Sequence, residues 1–298
     1  MKPKGLVVPA PGRRDGLMAT SQSPAPSWAE DRPPGSSALA RSLNLTRELA
    51  ITQFKLKYAG SVLGYIWSLA KPLMLFAIMY AVFARLLRVG ASSPNFAIQL
   101  LMGIIVWSFF SETTTGGLQS IVGNTHLVKK AFFPRSIIVI SATLTAFMNF
   151  AINLGLLVLI AGLLGKLDLG GRSLWALPLV FELYALTLGA ALLLATLYVF
   201  FRDVWYIWEI SSQVLFYASA VVYPLAFVPP SLERVIALNP LTQIIEDLRH
   251  GLVTHQVPWT ADVLGMNGLF VPLLIAAAVV LVGWIAFNHW SPRFAEYL

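Results

Sequence analysis

The sequence predicts an all-α membrane protein with six transmembrane helices, and three observations carry that prediction. Of 298 residues, 57% are hydrophobic and only 12% charged, about half the charged share of a soluble domain. Mean hydropathy is +0.72, so surplus apolar surface must face lipid. The stretch Lys55 to Leu87, KLKYAGSVLGYIWSLAKPLMLFAIMYAVFARLL, holds an apolar run long enough to cross about 30 Å of hydrocarbon at roughly 1.5 Å per residue. It is too long, and too late in the chain, for a cleaved signal peptide. Further apolar runs follow, separated by short polar segments in which basic residues gather.

Taken in order, residues 1 to about 38 are rich in Pro, Gly, Ser, Ala and Arg and poor in large apolar residues. Such a segment buries too little surface to offset its ordering entropy, which predicts a disordered cytoplasmic tail. Its basic residues (Lys2, Lys4, Arg13, Arg14) precede no apolar core, so it is not a secretory signal. Residues 39 to 58 set Leu39, Leu43, Leu49 and Phe54 against Arg41, Arg47, Glu48 and Lys57. They read as a helix lying in the membrane interface with Lys55 and Lys57 toward headgroups, or as a polar lead-in that anchors the first span. Spans are predicted at about 62–86, 95–115, 136–164, 174–201, 206–224 and 268–288. The second runs through LLMGIIVWSFF. A polar segment, Gly116 to Arg135, follows it and ends NTHLVKKAFFPR; the turn Arg202-Asp203 separates the fourth and fifth. Residues 225 to 266 are mixed in polarity, with Pro229, Pro230 and Pro240 and an amphipathic patch from Leu241 to Leu252.

Six spans place both termini on one side. The basic residues favour a cytoplasmic N-terminus, mainly through the N-terminal segment. Internal segments then hold Lys55, Lys57, Lys129, Lys130, Arg135, Arg202 and Arg293; external ones hold Arg85, Arg88, Lys166, Arg172, Arg234 and Arg249. The net charge of +7 and pI near 9.7 fit cations retained beside the membrane and do not call for a nucleic-acid partner.

Several chemistries are excluded. Without cysteine the chain builds no disulfide, zinc-thiolate site or iron-sulfur cluster. His126, His250, His255 and His289 are scattered without metal-binding spacing, and the 14 carboxylates are dispersed; no metal ligand and no catalytic residue is nominated. No phosphate-binding Gly-x-x-x-x-Gly-Lys-Ser/Thr loop occurs, so any uphill movement draws on a gradient or a partner chain. Gradient-driven carriers place ionisable groups at mid-membrane. This chain offers few: Lys71 sits within the first span, beside Pro72, where it either snorkels from a kinked helix or makes a functional contact. Glu112 and Glu182 lie near the ends of theirs.

Two stretches invite binding roles. The segment Asn124 to Arg135 combines Lys129 and Lys130 with Phe132, Phe133 and Pro134; it reads as a docking knob, since aromatics are favoured interface anchors, or as an ordinary basic loop. The aromatics Tyr65, Trp67, Phe76, Tyr80, Trp107 and Phe110 read as an interfacial belt and helix packing, or as the lining of a conduit along which flat polar rings slide.

Four blocks together resemble the permease subunit of ABC-2-type polysaccharide exporters, the family exporting O-antigen, teichoic acid and capsule precursors. They are FKLKYAGSVLGYIWSLAKP at 54–72, MGIIVWSFFSE at 102–112, SIVGNTHLVKKAFFPR at 120–135, and a set spread over YVFFRDVWYIWEI at 198–210, VVYPLAFVPP at 221–230 and LNPLTQIIEDLRHGL at 238–252. The resemblance covers residues 40 to 298. It implies half of a homodimeric permease in a bacterial cytoplasmic membrane, paired with two ATPase subunits that bind ATP and Mg, the chain itself holding no cofactor. It implies a coupling helix carried by Asn124, His126, Leu127, Val128, Lys129, Lys130, Phe132, Phe133, Pro134 and Arg135. An interface helix would include Arg47, Phe54, Lys55 and Lys57, and re-entrant extracytoplasmic gate helices would involve Tyr223, Pro224, Asn239, Pro240 and Arg249. The cargo implied is a lipid-linked glycan, with a drug-like or lipid cargo as the alternative and a membrane enzyme disfavoured by the dispersed acids. Leu248 departs from the family's usual aromatic before Arg249. The long Pro/Ala/Arg-rich tail suggests a high-GC bacterium, where a cell-wall galactan would be the cargo.

Overall fold

The computed structural model describes residues 38–58, 66–86, 95–130, 134–167, 170–254 and 256–298, with Gly64 and Arg88 besides. The predicted tail, but for its last residue, lies outside the described residues, as do Tyr65, Phe132 and Phe133 of the candidate sites. Among the described residues all regular structure is helical: α1 Ala38–Tyr58, α2 Ile66–Tyr80 continuing as a π-helical turn Ala81–Leu86, α3 Phe96–Gly123, α4 Thr125–Lys130 and α5 Ser136–Leu163. A 3₁₀ turn Gly171–Trp175 leads into α6 Ala176–Phe200, followed by α7 Val204–Ala218 and a 3₁₀ turn Leu225–Phe227. Then come α8 Pro230–Ala237, α9 Pro240–Leu252, α10 Thr260–Leu264, α11 Phe270–Trp290, a 3₁₀ turn Ser291–Arg293 and α12 Phe294–Tyr297.

Among the described residues, five segments are long and apolar enough to cross a bilayer: Ile66–Leu86, Phe96–Gly123, Ser136–Leu163, Gly171–Phe200 and Phe270–Tyr297. They fall on the first, second, third, fourth and sixth predicted spans. The fifth, predicted over 206–224, is instead the 15-residue α7, which rises about 22 Å, less than the hydrocarbon thickness. It stops at Ala218 because the next residues leave helical geometry, Ala220 taking φ 50, and offer their carbonyls to a buried arginine described below. The second span was predicted to end at 115, yet α3 runs on to Gly123 through SETTTGGLQS. Its hydroxyls bond back to the preceding turn, Thr114 Oγ1 to Phe110 O at 2.7 Å and Ser120 Oγ to Gly117 O at 2.6 Å. These two hydroxyls are thereby satisfied within their own helix.

The central layer is α5, α3, α6 and α11, with α6 packed between α3 and α11. Small residues let backbones approach. A Cβ on Gly117 would collide with Ala191; one on Gly283 would meet the Gly189 carbonyl, and one on Gly189 would stand 2.5 Å from Val280 Cα. Such contacts substitute for a hydrophobic drive that lipid does not supply between helices. In α2, Pro72 cannot donate to the carbonyl of Ser68. Asn153 Nδ2 on α5 donates to that carbonyl at 3.3 Å, and Lys71 beside it is exposed.

The bundle has two distinct ends. At one, α4 packs on α12, where Val128, Ile121, Ile138, Phe287 and Phe294 form a buried cluster. At the other, α8, α9 and α10 gather against the starts of α3, α6 and α11. The N-terminal α1 lies on the first half of α5, the half nearer α4, with Thr145 Oγ1 donating to the Ala50 carbonyl at 3.2 Å.

Candidate functional site

The elbow between α3 and α5 is a short helix of sequence THLVKK. Asn124 ends α3, its Nδ2 donating to Ser120 O at 2.8 Å and its carbonyl accepting the amides of Leu127 and Val128. Val128 is 4% exposed and plugs into the cluster under Phe294, with Leu127 packed beside it. Helical spacing then turns His126 and Lys129 outward, and both are exposed. Pro134 is exposed, and the Arg135 guanidinium donates to the Ser291 carbonyl, tying the elbow to the C-terminal segment. Lys130 falls on the last turn of α4. The structure thus gives this segment one anchored face and one basic free face.

On the same half, Lys57 at the end of α1 meets Glu112 of α3 at 2.5 Å, and Asn149 Nδ2 of α5 donates to the same carboxylate oxygen at 2.7 Å. Three helices therefore converge on one carboxylate. Sequence reading named Lys57 and missed its partners; an asparagine inside an apolar span, such as Asn149, was the available signal, because a buried amide needs a partner. Arg47 is exposed and Phe54 and Lys55 fall on the same helix.

The opposite end is built around α9. Its sequence PLTQIIEDLRHGL is amphipathic, yet all thirteen residues are buried. Asn239 caps it, accepting the Leu241 amide at 3.0 Å while donating to Ser219 Oγ at 2.9 Å, and Pro240 occupies the first turn. Arg249, 1% exposed, donates five hydrogen bonds: Nε to Gln99 O at 3.0 Å, Nη1 to Ala220 O at 3.0 Å, Tyr223 O at 3.2 Å and Glu246 Oε1 at 2.8 Å, and Nη2 to Val221 O at 2.7 Å. Glu246 also accepts the Leu225 amide at 3.0 Å, just after buried Pro224. Burial lifts the Glu246 carboxyl above the ordinary carboxylate range, with Arg249 opposing the lift. The Tyr223 hydroxyl donates to the Tyr217 carbonyl at 2.7 Å. Gly103 makes room for this clamp, since a Cβ there would collide with the Val221 carbonyl and stand 2.6 Å from Arg249 Nη2. The predicted gate residues Tyr223, Pro224, Asn239, Pro240 and Arg249 therefore come together around the turn that ends α7. Sequence reading did not find Glu246, Gln99 or Gly103; the i, i+3 spacing of Glu246 and Arg249 was legible, the contacts to α3 were not.

The candidate conduit aromatics separate by environment. Trp107 and Phe110 are buried, Trp107 lying 5.3 Å from the Phe216 ring and Phe110 6.0 Å from that of Trp208, so they join α3 to α7. Phe76 and Tyr80 stack at 5.6 Å along one half-buried face of α2, and Trp67 is exposed. No group of three or more potential metal ligands occurs among the described residues.

The described residues form an apolar helical bundle with a short basic elbow at one end and a polar, buried helix at the other. The chain belongs to the ABC-2 type transporter family, whose profile matches residues 44–253. It is similar to an O-antigen export system permease protein of Klebsiella pneumoniae, 29% identical over 251 residues that cover 82% of this chain and 91% of the relative. A protein of the same description from Myxococcus xanthus is 27% identical over 264 residues, 87% of this chain and 98% of the relative. A polysialic acid transport protein of Escherichia coli is 22% identical over 206 residues, 69% of this chain and 80% of the relative.

Proposed function

We propose that this chain is the membrane permease of an ATP-driven exporter that moves a lipid-linked polysaccharide of the O-antigen, teichoic acid or cell-wall galactan type across the bacterial cytoplasmic membrane. It works as a homodimer with two ATPase subunits, which supply the ATP and Mg chemistry. The names of the relatives, which cover most of this chain, support the cargo class. The observation that carries the mechanism is the elbow at α4. Because Val128 and Arg135 hold it against α12 and the α11 terminus, a push on its exposed face reaches α3, α5 and α11 together. His126, Lys129 and Lys130, with Phe132 and Phe133 beyond, form the docking face for the ATPase.

The α8–α10 end forms the extracytoplasmic gate, and α7 makes the sixth pass, its short helix extended by residues 219–224 to the level of Gln99 and Gly103. The aromatics of α2 and α7 face the second copy and, with it, enclose the conduit. The test is the double charge reversal Lys129→Glu with Lys130→Glu. The purified chain alone has no ATPase activity; the ATPase co-purifies with the wild type and is stimulated by it. The double variant loses co-purification and stimulation while melting as the wild type does. Unchanged pairing and turnover in that variant refute the docking role.

A further inference from the structure

Between α6, α9 and α11 lies a cavity of about 890 Å³ that opens sideways and belongs to neither the elbow nor the Arg249 clamp. Its polar end holds Arg172, Glu182, Gln243 and Asp247. Asp247 is already served, by the Thr260 amide at 2.9 Å and Gln243 Nε2 at 3.0 Å. Glu182 Oε1 and Gln243 Oε1 are shielded from solvent and have no donor of their own, although the Glu182 and Gln243 side chains lie within hydrogen-bonding reach of each other. A buried acceptor without a donor is costly, and two of them share one wall here. At this wall acceptors outnumber donors, since Gln243 Nε2 is spent on Asp247. Arg172, exposed at the rim, touches His250 Nε2 through Nη1 at 3.0 Å and keeps its outer face free for an anion.

The rest of the cavity is apolar. Leu273, Ala277, Leu281 and Trp284 recur on one face of α11 opposite Phe181. From Phe270 to Trp284 that stripe runs about 21 Å, the length of an extended fatty acyl chain. A molecule that fits presents a hydrogen-bond-donating cation first, an anion beside it and a long hydrocarbon behind.

We propose that this cavity binds a membrane phospholipid with a primary-amine headgroup. Its ammonium seats against Glu182 and Gln243, its phosphate meets Arg172, and one acyl chain lies along the α11 stripe. An ammonium donates to the unspent acceptors of Glu182 and Gln243; a quaternary choline has no N–H to give, and a glycerol headgroup brings no positive charge to Glu182. The lipid would wedge α6 and α11 where they diverge below α9, giving the α8–α10 end a floor of defined chemistry.

The full-length chain, placed in bilayer discs of equal parts phosphatidylethanolamine, phosphatidylcholine and phosphatidylglycerol, is released into the gas phase and its retained lipids are weighed by native mass spectrometry. The wild type retains phosphatidylethanolamine over the other two. Glu182→Gln lowers that preference about tenfold, the loss of one charge-assisted hydrogen bond, and Glu182→Asp retains part of it. Ala277→Trp, which fills the exposed middle of the stripe, removes retention with melting unchanged. Equal retention of the three lipids by the wild type overturns the proposal, as does an unaltered preference in Glu182→Gln or in Ala277→Trp. Preferential retention of polyprenyl phosphate added to the same discs would assign the cavity to a polyprenyl carrier instead, and loss of the dimer in Ala277→Trp without change in bound lipid would assign it to the second copy.

Discussion

Replacing Arg249 with methionine keeps the bulk of the side chain and deletes all five of its hydrogen bonds. Four backbone carbonyls on two segments and the Glu246 carboxylate, itself 0% exposed, lose their donor together. Breaking a buried ion pair by removing one partner costs about 3–5 kcal/mol. Glu246 retains the Leu225 amide and takes up a proton readily because burial already lifts its pKa, so the lower end applies, about 3 kcal/mol. At roughly 2–4 °C per kcal/mol for a chain of this size, Arg249→Met melts about 6–12 °C below the wild type, followed by tryptophan fluorescence of the purified chain. Adding Glu246→Leu removes the stranded carboxyl and restores part of the loss, so the double-mutant cycle shows positive coupling of about 1–2 kcal/mol. A variant that melts within about 2 °C of the wild type, or strictly additive single losses, refutes the reasoning that Arg249 and Glu246 form one clamp.

Gly103→Ala pushes a methyl group into the Val221 carbonyl and Arg249 Nη2; it costs about 1–3 kcal/mol, and adds little on top of Arg249→Met because both open the same clamp, which the same melts read. Gly283→Leu forces α11 away from α6 at Gly189, and a loss of more than about 2 kcal/mol follows, visible as a collapse of the folded detergent-purified fraction in size-exclusion chromatography. Lys57→Met removes a half-exposed pair, with side chains 37% and 34% exposed, so stability falls by no more than about 1 kcal/mol. Its effect shows instead in faster proteolysis of the end of α1, which loses its ion pair to α3.

The spans were legible because lipid imposes a coarse rule: a run of apolar residues of fixed length is nearly always a crossing. The rule failed where packing overrode it. The segment from Gly116 to Gly123 read as lying outside the span by polarity, but Ser120 is satisfied within its own helix and Gly117 seats against Ala191. The segment 206–224 looked like a full span by hydropathy, but residues 219–223 surrender helical geometry to Arg249. At the α3–α5 elbow the basic residues marked a surface, and His126 and Lys129 are exposed. That Val128 would anchor it was not legible, because the anchor depends on Phe294, which lies 166 positions further on in the chain. Arg249 was singled out by resemblance, and its five acceptors, mostly backbone carbonyls, leave no mark in side-chain identity.

The partners of that arginine also share a place in time. Gln99 precedes it by 150 residues, Ala220 by 29, Val221 by 28 and Tyr223 by 26. Every acceptor has been synthesised before Arg249 leaves the ribosome, and Glu246 arrives with it on the same turn of helix. A helix carrying glutamate, aspartate, arginine and histidine is a poor candidate for entering the bilayer alone. It has a prepared berth only once α3 and α7 stand side by side. The last third of the chain thus reports on the assembly of the first two: a nascent chain whose early helices are misplaced leaves this charged segment without its berth.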